Sequence, residues 1–299
     1  MKKLINKTKT PLPLRWGFSI GGEEMTVQEA YHRLEESFEQ FQGEEEWKEY
    51  LDFSARFHSY SLNNTAMIYL QKPRAQFLKG YKAWQKIGRQ VKKGEKAIQI
   101  FAPMSRKMET KAGKEEYRLS GFRLINVFDL SQTDGDDDKL PSMIKGLQTD
   151  VDYSEVLDTI LQKIDVPVAF DDLSYELHGF YEIKENAITL NSRNSPVHTL
   201  KTLFHELAHH YHMTAIKDRR AKFSYEQEEF VAESSAYLVC ATLGIDSGDY
   251  SIPYLKAWIN DFKAFQEMRR DIEKTTKKIL RLIKREEVES CTSTTTEHL

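Results

Sequence analysis

Residues 199–212, TLKTLFHELAHHYH, constrain this chain more than any other stretch. They contain His205-Glu206-Leu207-Ala208-His209, an H-E-x-x-H in a helical setting. Ser195-Pro196 just before them reads as an N-cap followed by proline at the first helical position. Leu200, Leu203, Phe204, Leu207 and Tyr211 recur at helical spacing and form an apolar stripe. Histidines at i and i+4 lie one above the other on one helical face, so two imidazole nitrogens can converge on one zinc ion. Glu206, next to the first histidine, would then be near enough to take a proton from a metal-bound water. Three such fixed residues meet by chance in about one chain of this length in a hundred, so the sequence around them has to decide.

The next helix is expected over residues 225–243, closed by Gly244 as its C′ residue. It begins Tyr225-Glu226-Gln227-Glu228-Glu229-Phe230-Val231-Ala232-Glu233. A catalytic zinc site needs a third protein ligand and an open fourth position. Glu229 is the expected third ligand, Glu228 competes for that place, and a solvated acidic face is the plain alternative. Glu233, one turn on, is placed to accept the outer N–H of a ligand histidine and hold its ring. His198, His210 and His212 read as ordinary core or surface histidines. The donor for a developing oxyanion stays open among Tyr181, His178, His212 and Tyr225.

With 299 residues, 40% of them hydrophobic, the chain can bury two modest cores. Its charge is unevenly spread. Residues 72–123 carry 15 Lys or Arg against 4 Glu, and residues 124–165 carry 10 Asp or Glu against 3 Lys. A basic surface for an anionic partner, followed by an acidic link, is the implied organisation. Two cysteines, Cys240 and Cys291, make no disulfide framework. The N-terminus lacks the apolar core of a signal peptide, and no apolar run spans a bilayer. The expectation is a cytoplasmic protein with no membrane partner.

In the first half, helices are expected from Thr26 to a break at Gly43, over residues 44–58, and over residues 62–71 before Pro73. A short helix over 80–87 should stop at Gly88, followed by strands over 97–102 and 116–126, the second continuing through Val127-Phe128-Asp129. Arg74, Lys82, Lys86, Arg89, Lys92, Lys93 and Lys96 are interleaved here with Phe77, Tyr81 and Trp84. Cations that track phosphates beside aromatic faces that stack bases suit single-strand binding. Trp84 has a second reading as core. Ser131 to Asp138, SQTDGDDD, reads as an exposed linker. Beyond it come a helix over 154–164, two strands joined by a tight turn over 179–190, and a long amphipathic helix over 252–288. The domains are therefore placed at 1–130 and 151–289, with an acidic link at 131–150 and a polar tail from 290, expected to be disordered.

The ordered set Tyr60-Ser61, Asn63-Asn64, Gln71-Lys72-Pro73, Gly80-Tyr81, Trp84, Gly88-Arg89, Val91-Lys92-Lys93-Gly94-Glu95-Lys96, Pro103 and Val127-Phe128-Asp129 resembles the N-terminal domain of ArdC-type antirestriction proteins. That resemblance implies single-stranded DNA as partner and a plasmid or other conjugative element as source. The pair of site helices resembles glutamate zincins, in particular the ImmA/IrrE and ArdC metallopeptidase domains, where Glu-x-x-Ala supplies the third ligand; Glu229-Phe230-Val231-Ala232 matches it. The common pattern continues with Asn or Asp where this chain has Glu233. Tyr254-Leu255-Lys256-Ala257-Trp258 also resembles the ArdC-type chain. The combined expectation is a two-domain α+β protein: an N-terminal helical domain with a small antiparallel sheet, and a C-terminal zincin-like domain holding Zn2+ through His205, His209 and Glu229. Its site would be peptidase-like, with Glu206 as the base. Rival readings are a protease that cleaves a partner such as a repressor, using the DNA domain for localisation, and a DNA-binding scaffold with a degenerate site.

Overall fold

The computed structural model describes residues 25–38, 44–109, 115–136, 140, 153–218, 223–245, 247 and 262–283. Three helices open the first domain: α1 (Val27–Phe38), α2 (Glu44–Arg56) and α3 (Leu62–Gln71). Ser61 caps α3 by accepting from the Asn64 amide, and Pro73 follows its end. A sheet of order β1-β4-β3 is built from β1 (Leu78–Lys79), β3 (Ile98–Glu109) and β4 (Glu115–Asp129). The helix α4 (Tyr81–Lys86) follows β1 and leads into β2 (Arg89–Val91) through Gly88, whose φ of 77° a side chain would resist.

β3 is an edge strand, and α3 closes its inner half. Asn64 exchanges two hydrogen bonds with the backbone of Phe101, at 2.9 and 2.8 Å, and Gln71 does the same for Gln99, at 2.9 and 2.8 Å. Asn64 and Gln71 are two turns apart on one helical face, so both amides meet alternate residues of the strand. The edge is thereby kept from pairing with another chain. Asp129, wholly buried, accepts from the amides of Gln76, Phe77 and Ser131 and caps the 3-10 turn Leu130–Gln132.

The segment read as an exposed linker is in part structural. Gln132 and Thr133 are buried, and β5 (Thr133–Gly135) pairs antiparallel with β2. Arg89 fastens the pairing through Thr133 Oγ1 at 2.9 Å and the carbonyls of Thr133 and Gly135. Residues 137–139 lie outside the described residues.

The second domain begins with α5 (Tyr153–Lys163) and a sheet of order β6-β8-β7, made from β6 (Val168–Asp171), β7 (Gly179–Glu182) and β8 (Ala187–Asn191). The hairpin β7–β8 turns at Asn186, with φ of 49°. β6, parallel to β8, is absent from the sequence reading; it is short, mostly exposed, and carries no alternation strong enough to mark it. Among the described residues three helices follow: α6 (Pro196–Ile216), α7 (Tyr225–Thr242) and α8 (Phe262–Ile283). The expected extension of α8 to residues 252–261 and 284–288, and the tail, lie outside the described residues.

The two domains share a core. Phe230, Val231, Tyr237 and Leu238 of α7 and Met268 and Ile272 of α8 join Leu34, Tyr50, Leu51 and Met67 in one apolar cluster. The hydroxyl of Tyr237 donates to Asp52 at 2.6 Å, and Glu273 accepts from the amide of Leu62 at 2.7 Å. α7 therefore touches the first domain on one side while its Ala232, Ala236, Val239 and Cys240 pack with α6 on another.

Candidate metal centre

α6 is held in register at its start. Ser195 accepts from the His198 amide, with Pro196 at the first helical position, and Leu200, Leu203, Phe204 and Leu207 are fully buried. Between Thr199 and Met213 only Lys201, His205 and His209, on one face, are left partly open. α7 starts with a capping box, Ser224 and Gln227 satisfying each other's backbone amides. It ends at Gly244, φ 75°, with Ile245 N donating back to Cys240 O at 2.9 Å. Both helix ends being specified, Glu229 and Glu233 point at α6 from consecutive turns.

Nε2 of His205 and Nε2 of His209 lie 3.1 Å apart, and the Glu229 carboxylate stands 3.6 and 3.3 Å from them. Donors about 2.1 Å from a tetrahedrally coordinated ion must be about 3.4 Å from one another. Two imidazole nitrogens and a carboxylate oxygen at that spacing fit a divalent cation. Among the described residues these three are the one group of such donors that converges in this way. Glu228, the competitor, is buried apart from the cluster.

Glu233 accepts from Nδ1 of His205 at 2.9 Å, which leaves Nε2 to face the centre. Burial pulls the His205 pKa down, but hydrogen bonds to Glu229 and Glu233 outweigh it and lift the pKa to about 10. Burial raises Glu229, and the bonds from His205 and His209 bring it well below the usual carboxylate range. A metal must therefore displace a proton from His205, and apparent affinity rises with pH through neutrality. Glu233→Gln removes one of the carboxylates that retain this proton. The variant should show a flatter pH dependence and, at high pH where the proton no longer competes, an affinity about 10–100-fold lower, read from chelator-competition titrations.

Glu206 is buried, and burial raises its pKa; the histidines beside it and the Tyr181 backbone amide, which donates to its carboxylate, work in the other direction. That amide belongs to β7. With Asn191 N donating to His178 O and Phe180 opposite Thr189, the backbone groups of Gly179 and Tyr181 point away from β8, toward α6. Gly179 permits this approach, because a Cβ there would lie 2.7 Å from Thr202 Cγ2 and 2.9 Å from Thr189 O. The contact of Tyr181 with Glu206 was not foreseen; a glycine opening a strand ahead of the metal helix was its only sequence signal.

The four oxyanion candidates separate. His212 is fully buried against Phe223 and near Asp271, and His178 is engaged with Asn194 and packed at a tilt against His198. The Tyr181 hydroxyl donates to Asn186, which also meets His210. Tyr225 is 70% exposed, one turn before Glu229 on the same face.

The basic set of the first domain also divides. Arg74, Tyr81, Lys82, Lys86, Lys92, Lys93 and Lys96 are exposed, with Lys92 bonded to Ser131 O and close to Asp134. Two members are corrected. Trp84 is fully buried, its indole N–H donating to Phe128 O at 2.9 Å, so no base can stack on it. Arg89 is buried with its guanidinium consumed by β5, so it contacts no phosphate.

Residues 25–131 match the family described as the N-terminal domain of anti-restriction factor ArdC, and residues 156–275 match the zincin-like metallopeptidases. An uncharacterized protein of Bacillus anthracis, pXO2-81, is 27% identical over 282 residues; the match covers 80% of this chain and 46% of that protein, so the chain spans less than half of its relative's length. Crystal structures of the antirestriction protein ArdC from plasmid R388, metal-free and Mn(II)-bound, are 23% identical, with a TM-score of 0.49 over 75% of this chain and 82% of theirs. Among the described residues no helix is long and apolar enough to cross a membrane. By these matches residues 25–131 are similar to the N-terminal domain of anti-restriction factor ArdC, and residues 156–275 to zincin-like metallopeptidases.

Proposed function

We propose that the chain is an antirestriction-type protein of a mobile element, which binds single-stranded DNA through its first domain and hydrolyses a peptide bond in its second. The convergence of His205, His209 and Glu229 around one point, with Glu206 beside it, carries the peptidase reading. The donor set of two nitrogens and one carboxylate suits Zn2+, and elemental analysis of the purified protein identifies the ion. A bound divalent ion supplies Lewis acidity and a lowered pKa for water.

The chain's own residues do the rest. Glu206 accepts the proton of the attacking water and returns it to the leaving amine; its raised pKa makes it a stronger base than an exposed carboxylate. The Tyr181 amide keeps that carboxylate in place, and Tyr225, exposed one turn before Glu229, is the oxyanion donor of this reading. Of the outward backbone groups of β7 the Tyr181 amide is taken by Glu206, so an extended peptide would pair at Gly179, and the substrate is an exposed, unstructured segment of a protein.

The DNA reading rests on the exposed cations Arg74, Lys82, Lys86, Lys93 and Lys96, close in sequence to Tyr81, which is 44% exposed. Binding to single strands should weaken with salt, with a log–log slope of about −0.7 per phosphate contacted. Fluorescence anisotropy with labelled oligothymidylate measures it, and an affinity independent of salt would rule out a surface that tracks the backbone.

A further inference from the structure

Tyr181 meets the metal helix at two places. Its backbone amide donates to the Glu206 carboxylate, and its side chain lies edge-on to the His210 ring, with 5.5 Å between ring centres. Glu206 and His210 are four positions apart in α6, so they stand one above the other on one face, one turn apart. Tyr181 therefore spans a turn of α6, with its main chain on the base at one end and its hydroxyl by the next turn at the other. His210 is itself buried and follows the metal-binding His209 directly in sequence.

The hydroxyl end is closed by a residue from the hairpin turn. Asn186 Oδ1 accepts from Tyr181 Oη at 2.9 Å and from His210 Nδ1 at 3.0 Å, whereas the hydroxyl and the imidazole nitrogen are 3.4 Å from each other. One amide oxygen thus ties β7 to α6 more closely than the two side chains meet directly. The His210 ring is steadied from its other side, where Nε2 lies 3.6 Å from Asp165 Oδ1, an oxygen that also accepts from Tyr211 Oη at 3.4 Å. Asn186 itself has φ of 49° at the turn into β8, a conformation that Asn tolerates better than most residues with a side chain. Glycine would make the same turn and supply no oxygen.

β7 needs such a tie. It has four residues, pairs with β8 along one edge only, and turns its other backbone groups toward α6. So short a strand has few ladder bonds to fix it. Any displacement of Tyr181 moves the amide from which Glu206 accepts, and a base held off its productive geometry loses rate. We propose that Asn186 is a positioning residue for Glu206: its side-chain oxygen fixes the ring of Tyr181 against His210 and thereby sets the Tyr181 amide on the base. The proposal rests on the peptidase reading of the second domain.

Asn186→Gly keeps the turn and removes the acceptor. On metal-loaded protein, with the quenched-fluorescent peptide that wild type cleaves best from a random library, it should lower kcat by about threefold to tenfold, the equivalent of one hydrogen bond between neutral groups. Metal content should not change. The Tyr181 amide should exchange with deuterium faster by a similar factor, followed by nuclear magnetic resonance. Asn186→Asp, which keeps an oxygen in place and also tolerates the turn, should restore both readouts. Tyr181→Phe removes the donor and leaves the acceptor, so it should reproduce Asn186→Gly, and it carries the test should Asn186→Gly melt early. Wild-type turnover and wild-type amide exchange in Asn186→Gly and Tyr181→Phe overturn the positioning role while the peptidase reading stands. A loss in Asn186→Gly that Asn186→Asp does not repair and Tyr181→Phe does not reproduce makes Asn186 a residue of the turn alone and also overturns it. Wild-type protein that cleaves no more than Glu206→Gln overturns the peptidase reading, and the proposal with it.

Discussion

Glu206→Gln should lower peptide hydrolysis by about 10²- to 10⁴-fold, the usual contribution of a positioned general base, while the protein keeps its metal. The glutamine side chain would fill the same volume and still accept from the Tyr181 amide, so helix and strand stay where they are. It has no basic oxygen able to hold a proton. Because Glu206 is not one of the three converging donors, elemental analysis should return the same metal content for variant and wild type. His209→Ala should remove both metal and activity. The two variants together separate loss of the base from loss of the site. Equal hydrolysis by wild type and Glu206→Gln across a peptide library would sink the peptidase reading and leave a metal site that serves structure.

The same comparison bears on DNA. α7 carries Glu229 and Glu233 on one face and contributes Phe230, Val231 and Leu238 to the core of the first domain on another. The domains are joined through this helix and not only through the segment after Gly135. Glu206→Gln leaves that packing intact, so its single-strand affinity should equal that of wild type.

How far the sequence could be read depended on whether a signal was local. The helix starting at Leu62, the helix ends set by Ser195 and Gly244, and the hairpin within residues 179–190 follow from residues close to each feature, and the structure has them where spacing put them. Glu229 and Glu233 were reachable because helical periodicity carries across 20 residues once both helices are recognised. β2 and β5 were not, since three-residue strands 44 positions apart have no periodicity of their own; Arg89 joins them by hydrogen bonds that only the fold reveals. The same ambiguity affected the family-like residues of the first half. Asn64, Gln71, Trp84, Arg89 and Asp129 belong to that pattern and sit beside a basic surface, yet each hydrogen-bonds to backbone groups of the fold. A cation or an aromatic ring in a basic segment reads as a contact until its burial is known.

Trp84→Ala should therefore act on folding and not on recognition. The side chain is fully buried, edge-on to Phe77 at 5.6 Å between ring centres, and hydrogen-bonded to Phe128 O on β4. Truncation leaves a cavity between α4 and the sheet and strands the Phe128 carbonyl, and large-to-small changes of this kind cost about 3–5 kcal/mol. That is a large share of the stability of an ordinary domain. Urea denaturation followed by circular dichroism should show a lowered midpoint for Trp84→Ala. Trp84→Phe, which keeps most of the volume and loses the indole donor, should fall between. Tyr81→Ala, at an exposed ring three positions earlier, should leave the midpoint within about 0.5 kcal/mol of wild type and weaken single-strand binding. A Trp84→Ala protein of unchanged stability that had lost only DNA affinity would return Trp84 to the binding surface.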